Sequence, residues 1–138
     1  MLLNPYLIFN GQCAEAFNHY AQCLGGKIEM MLKQGDAPIA ARIPAERHNN
    51  IMHAQLSVGQ WVLMGSDAPE EHYEKPQGFS VTLSVEQPAE AERLFAALSA
   101  GGNVTMALQE TFWAKRFGMF VDRFGIPWMI NGGMQEKA

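Results

Sequence analysis

In the run HAQLSVG, His53 and Gln55 stand two residues apart within a strict polar–apolar alternation. That spacing puts both side chains on one face of a β-strand. An imidazole that titrates near neutral pH, set beside an amide, can serve as a general acid or base or as a hydrogen-bond partner. The same residue can equally be a core histidine whose nitrogens are bonded to backbone or to a neighbour such as Tyr6. A second concentration of chemistry lies in ETFWAKRFGMFVDRFGIPWMI, residues 110 to 130. Phe112 and Trp113 offer flat surface for stacking on a planar ligand, or anchors for a subunit interface, where aromatic residues are enriched. Arg116 can grip a planar anion through two N–H groups. Asp122 can instead pair with an arginine and fix the turn ahead of Phe124 and Gly125.

Other chemistries leave no trace. There is no Cys-His or Ser-His-Asp signature, no zinc-ribbon spacing and no phosphate-binding loop. Glu15, Glu29, Asp67, Glu86 and Glu90 fall near helix starts or strand ends, and nothing marks them as a catalytic carboxylate pair. His19 lies beside the apolar stripe of a predicted helix and reads as a surface side chain; His48 and His72 fall in loops. With 48% hydrophobic residues, 17% charged residues and a net charge of -4, the 138-residue chain reads as one soluble globular domain. It carries no electrostatic footprint for nucleic acid or an anionic membrane, and no run reaches the ~20 apolar residues of a membrane span. Cys13 and Cys23 lie on one predicted helix, ~15 Å apart at ~1.5 Å per residue and beyond disulfide reach. Free thiols, and an N-terminal stretch without a basic leader or cleavage site, point to the cytoplasm.

The elements that position these residues repeat. AEAFNHYAQCLGGKI (14–28) and AEAERLFAALSAGGNV (89–104) both open on Ala-Glu-Ala and stop at Gly-Gly. Each follows a strand-like run, YLIF at 6–9 and FSVTLSV at 79–85, and VGQWVLMG (58–65) is echoed by FGIPWMIN (124–131). The chain is therefore two β-α-β-β-β modules in tandem, over about 1–70 and 76–133. Ala14, Phe17, Tyr20, Ala21 and Leu24 form the stripe expected of the first helix, with Asn10 as its cap. Ala91, Leu94, Phe95 and Leu98 form that of the second, entered through Pro88. Gly25-Gly26 and Gly101-Gly102 are the expected left-handed helix ends. Trp61 and Trp128 follow the glycine turns and read as wall or core residues. The stretch 35–50, the least regular in the chain, reads as an exposed loop.

This arrangement resembles the vicinal oxygen chelate superfamily of glyoxalases, extradiol dioxygenases and bleomycin-resistance proteins, and within it the PhnB-like group. The stretches that carry the resemblance are NPYLIFNG (4–11), LGGKI (24–28), HAQLSVGQWVLMGSD (53–67), GFSVTLSV (78–85), GGNVTMALQETFW (101–113) and RFGMFVDRFGIPWMI (116–130). The resemblance implies an α+β fold in which the two modules form a curved, half-open mixed β-barrel around a cavity, commonly in a homodimer. Some PhnB-like proteins bear a ubiquinone methyltransferase label, but no glycine-rich nucleotide loop follows the first strand here.

Superfamily enzymes hold a divalent metal with His and Glu side chains from four strand positions. By register these fall at or next to Tyr6, on Gln55 with His53 two residues earlier, on Ser80 and on Met129. Tyrosine, glutamine, serine and methionine are a poor set for zinc, nickel or iron. The expectation is thus a protein without a metal or other cofactor, binding a small organic ligand in a cavity lined by Tyr6, His53, Gln55, Ser80, Trp113, Arg116 and Met129. Two rivals stand beside it. One is an enzyme that uses His53 as its acid–base group or an unusual metal site, and the other is a structural dimer module whose cavity is filled by its own side chains.

Overall fold

The computed structural model describes residues 1 to 135. The elements are β1 (Tyr6–Phe9), α1 (Cys13–Leu24), β2 (Lys27–Lys33), β3 (Ile51–Val58) and β4 (Trp61–Asp67), then β5 (Val81–Val85), α2 (Pro88–Ser99), β6 (Asn103–Gln109), β7 (Ala114–Val121) and β8 (Pro127–Met134). Chain contacts divide them into two compact units, the first ending at Glu74 and the second beginning at Lys75. Each unit is one β-α-β-β-β module with an open, mixed four-stranded sheet, in the orders β1-β4-β3-β2 and β5-β8-β7-β6. In each sheet the first strand runs parallel to the last, and the other pairings are antiparallel.

In the first unit the strand alternation separates two faces. Leu7, Phe9, Ala54, Leu56 and Leu63 are buried, and Phe9 meets Phe17 of α1 edge to face at 6.0 Å. A Cβ at Gly65 would strike the Phe17 ring, so glycine there lets α1 sit close on β4. The stripe α1 buries is Cys13, Ala16, Phe17, Tyr20 and Cys23, rotated from the expected one. Ala14, Ala21 and Leu24 are half-buried at its edge, and His19 is half-buried too, with a ring nitrogen 3.6 Å from Cys23 Sγ. Asn10 does not cap the helix. Instead Asp67, buried at the end of β4, accepts the Cys13 N–H through Oδ1 (3.0 Å) and the Ile51 N–H through Oδ2 (2.8 Å). A strand residue 54 positions downstream thus supplies the charge-assisted cap.

The 35–50 stretch is more ordered than expected. Three single 3-10 turns, Gln34–Asp36, Ala40–Arg42 and Ala45–Arg47, fold back on one another. His48 Nε2 lies 3.1 Å from the Ala40 carbonyl and 2.8 Å from that of Ile43, and the Gly35 N–H donates to the His48 carbonyl.

The second unit repeats the plan. Ala91, Leu94 and Leu98 of α2 are buried, as expected, and Phe95 lies edge to face with Phe120 at 5.1 Å. A Cβ at Gly132 of β8 would overlap the Ala91 methyl, which fixes how closely helix and sheet pack. Gly25 and Gly101 take the anticipated left-handed conformation, with φ of 68° and 77°. Asp122 is buried and fixes the β7–β8 turn. Its Oδ1 accepts the Phe124 and Ile126 N–H groups, both at 2.9 Å, and its Oδ2 accepts the Trp128 indole N–H at 2.8 Å. Trp128 is a core residue, 1% exposed, whereas Trp61 is 71% exposed, so the two tryptophans do not hold matching places. The turn before Trp61 is shorter than the one before Trp128, which shifts their registers.

Candidate functional site

The face of each sheet turned away from its helix gathers the polar side chains. In the first unit Tyr6 is paired in register with Met64, Met64 with Gln55, and Gln55 with Met30, which places them in one row across four strands. His53, two residues from Gln55 on β3, shares their face. Tyr6 Oη–H donates to His53 Nδ1 at 3.2 Å, and the two rings stack with centroids 5.7 Å apart. His53 Nε2 lies 3.3 Å from Gln55 Oε1. A carbonyl oxygen only accepts, so the imidazole proton sits on Nε2 and Nδ1 takes the phenol. Tyr6 is 43% exposed, and His53 and Gln55 are half-buried. The neighbour anticipated for His53 is the one found. The result is a pre-oriented row with both imidazole nitrogens engaged and the Tyr6 edge open.

The second unit carries an analogous row. Trp113 Nε1–H donates to Asn131 Oδ1 at 3.3 Å, and the Asn131 amide reaches Ser84 Oγ at 3.5 Å. Trp113 also packs edge to face on Phe117 at 5.1 Å, and Met129 is paired in register with Thr82 and with Met119. Trp113 and Met129 therefore stand on the same face. Ser80 lies before β5, which begins at Val81 rather than Phe79. The partner of Met129 on the first strand is Thr82, as Tyr6 is the partner of Met64. Arg116 is set apart. It pairs in register with Gly132 on the helix-facing side, and its Nε donates to Glu92 of α2 at 3.2 Å. Strand alternation opposes it to Phe117, so its guanidinium serves a helix–sheet ion pair. Thr82 and Ser84 are polar positions of the alternating 79–85 run without a site role read from it, and the alternation in PWMINGG puts Asn131 on the Met129 face.

A metal fits these positions poorly. The four register positions present a phenol, an amide, a hydroxyl and a thioether, and the nearby imidazole has no free nitrogen. Among the described residues no three His, Cys, Asp or Glu side chains gather as a metal site. Cys13 is no better a ligand: burial first, and the Asp67 carboxylate second, push its thiol pKa far up and hold it protonated. No helix of the described residues is long and apolar enough to cross a membrane.

Comparison with known proteins places the fold. The family model for 3-demethylubiquinone-9 3-methyltransferase matches residues 2–131. Protein YjdN of Escherichia coli strain K12 is 37% identical over 146 residues, covering 100% of this chain and 99% of YjdN. The crystal structure of protein PA1353 from Pseudomonas aeruginosa is 53% identical, covers 96% of this chain and 97% of that one, and superposes with a TM-score of 0.88. A Bacillus cereus PhnB protein, described as a putative 3-demethylubiquinone-9 3-methyltransferase, shares the fold at 19% identity, with 96% and 99% coverage and a TM-score of 0.80. So does a glyoxalase/bleomycin resistance protein/dioxygenase family enzyme from Burkholderia phytofirmans PsJN, at 14% identity, 94% and 96% coverage and a TM-score of 0.63. The two β-α-β-β-β units thus have the glyoxalase/bleomycin-resistance fold.

Proposed function

This chain belongs to the PhnB-like family whose model is named for 3-demethylubiquinone-9 3-methyltransferase, and on that premise we propose a cytoplasmic, homodimeric protein that binds a small organic molecule without the metal usual in its superfamily. One observation carries the reading. The row Tyr6–His53–Gln55 is closed by hydrogen bonds of 3.2 and 3.3 Å, and the resemblance assigns two of the superfamily's metal-ligand positions to Tyr6, or next to it, and to Gln55, with His53 beside the second. Such a row recognises polar atoms of a ligand by hydrogen bonding rather than by Lewis acidity. The apolar side chains beside it, Met64 and Met30, supply adaptable contact surface for an organic body.

Dimer formation is supported by Phe112, 89% exposed, a large aromatic of the kind that anchors interfaces. The two buried cysteines, neither of them in a disulfide, suit a reducing compartment. The methyl transfer in the family name is not carried over, because Asn10 and Gly11 lead from β1 into α1 without a glycine-rich nucleotide loop.

The test is native mass spectrometry of protein purified without added metal, set against its denatured mass. A metal-free dimer with extra organic mass, lost in the Tyr6→Phe, His53→Ala double variant, is the expected result. A dimer holding one divalent metal per chain overturns the reading. The rival, in which His53 is the acid–base group of an enzyme, rests on the phenol–imidazole contact. It requires that His53→Ala abolish turnover of some substrate while the fold survives.

A further inference from the structure

A cleft of about 440 Å³ opens in the second unit, and its lining shares no residue with the Trp113–Asn131–Ser84 row. The segment that enters β5 forms one wall, with Lys75, Gln77, Phe79 and Ser80. Met119 and Trp128 contribute to the wall from β7 and β8. The volume lies within the ~300–1,000 Å³ of small-molecule sites. Among the described residues Lys75 is the one charged residue of the lining and no Asp or Glu belongs to it, although the chain carries a net charge of -4. The rest of the lining is mostly apolar, with hydroxyl and amide groups from Ser80, Thr105 and Gln77. Phe79 is 49% exposed, a large apolar side chain left at the surface beside this opening.

We infer that this cleft binds an aryl monoanion, a flat aromatic body bearing one carboxylate or sulfonate, with the ring against Phe79 and Met119 and the acid group at Lys75. A neutral ring compound satisfies the apolar wall but leaves the ammonium without a partner. A dianion brings a second charge for which the lining has no cation. The inference concerns a second cleft, distinct from the Tyr6–His53–Gln55 row of the small-molecule reading above and not using His53, so the two can fail separately.

The experiment uses two probes with the same ring system on the full chain, anionic 1-anilinonaphthalene-8-sulfonate and neutral N-phenyl-1-naphthylamine, each titrated by fluorescence. The expected result is saturable binding of the sulfonate, weakened about three- to fivefold by Lys75→Met, as for a solvent-exposed ion pair. Raising the salt concentration should weaken the wild type towards the variant and leave the variant unchanged. The neutral probe should bind Lys75→Met and wild type alike. Ser80→Phe, which fills the cleft from a segment outside the strands, should suppress both probes, and His53→Ala neither. Unchanged sulfonate binding in Lys75→Met or in Ser80→Phe overturns the inference, as does sulfonate binding that depends on His53. Heteronuclear NMR spectra of each variant check that the fold is intact.

Discussion

Replacing Asp122 with alanine tests how the second unit holds its final hairpin. The side chain is 4% exposed and its oxygens accept three N–H groups, from Phe124, Ile126 and the Trp128 indole, at 2.8 to 2.9 Å. Phe124 and Ile126 are themselves buried, so the donors left behind have no easy route to water. A hydrogen bond to a charged group contributes ~1.5–3 kcal/mol, and an orphaned buried donor costs ~1–3 kcal/mol. Three bonds sharing one carboxylate do not add independently, and the turn can relax at its exposed Arg123. The expected loss is therefore about 4 kcal/mol, below the simple sum. For a chain of this length ~1 kcal/mol corresponds to ~3–4 °C in Tm, so the melting temperature should fall by about 12–16 °C. Asp122→Asn keeps an acceptor for the two backbone donors but turns an amide N–H toward the indole. It should cost about 2 kcal/mol, between wild type and alanine. Urea titration followed by far-UV circular dichroism gives the free energies, and calorimetry gives Tm. A loss below about 1 kcal/mol for Asp122→Ala, or an Asn variant as damaged as the Ala variant, would refute the claim that these bonds hold the turn.

Three further outcomes follow from other contacts. Gly132→Ala should cost about 1–3 kcal/mol because its methyl overlaps that of Ala91; Ala91→Gly in the same chain should restore part of the loss, and a purely additive double variant in urea titration would refute the overlap. Cys13 should resist iodoacetamide at pH 8 in the folded chain and react when it is unfolded, because burial and then Asp67 raise its pKa. Below the free thiol pKa of ~8.5 the group is protonated in both states; above it only the unfolded chain releases the proton, so each further pH unit costs about 1.4 kcal/mol of stability. Cys13→Ala should remove that slope in urea titrations run between pH 8 and 10, and an identical slope in both proteins would count against it. Tyr6→Phe should change stability by less than about 1 kcal/mol, since the phenol is half exposed. It should also free Nδ1 and shift the His53 imidazole proton signals in NMR, and unchanged signals would mean the contact is not formed in solution.

The two helices, the glycine ends and the β-α-β-β-β repeat were legible because each is written in neighbouring residues. Ala91, Leu94 and Leu98 recur at helical spacing, and Gly25 and Gly101 take the left-handed conformation that ends a helix. The Tyr6–His53–Gln55 face could be read from alternation within two strands. Ser80 and Arg116 could not be placed that way. Ser80 was counted from a strand start that lies two residues too early. Arg116 needs the strand register, which sets it against Gly132 and beneath Glu92.

Sequence by itself determined the order of elements and the two-face character of each strand, since φ/ψ preferences and side-chain periodicity act over a few residues. Tertiary structure alone decided that Asp67 caps a helix 54 residues upstream and that Asn131 joins Trp113 to Ser84. It also decided that Arg116 turns to Glu92 of α2 rather than towards the Trp113 face. Those contacts depend on strand order and register, which only the packed sheet specifies.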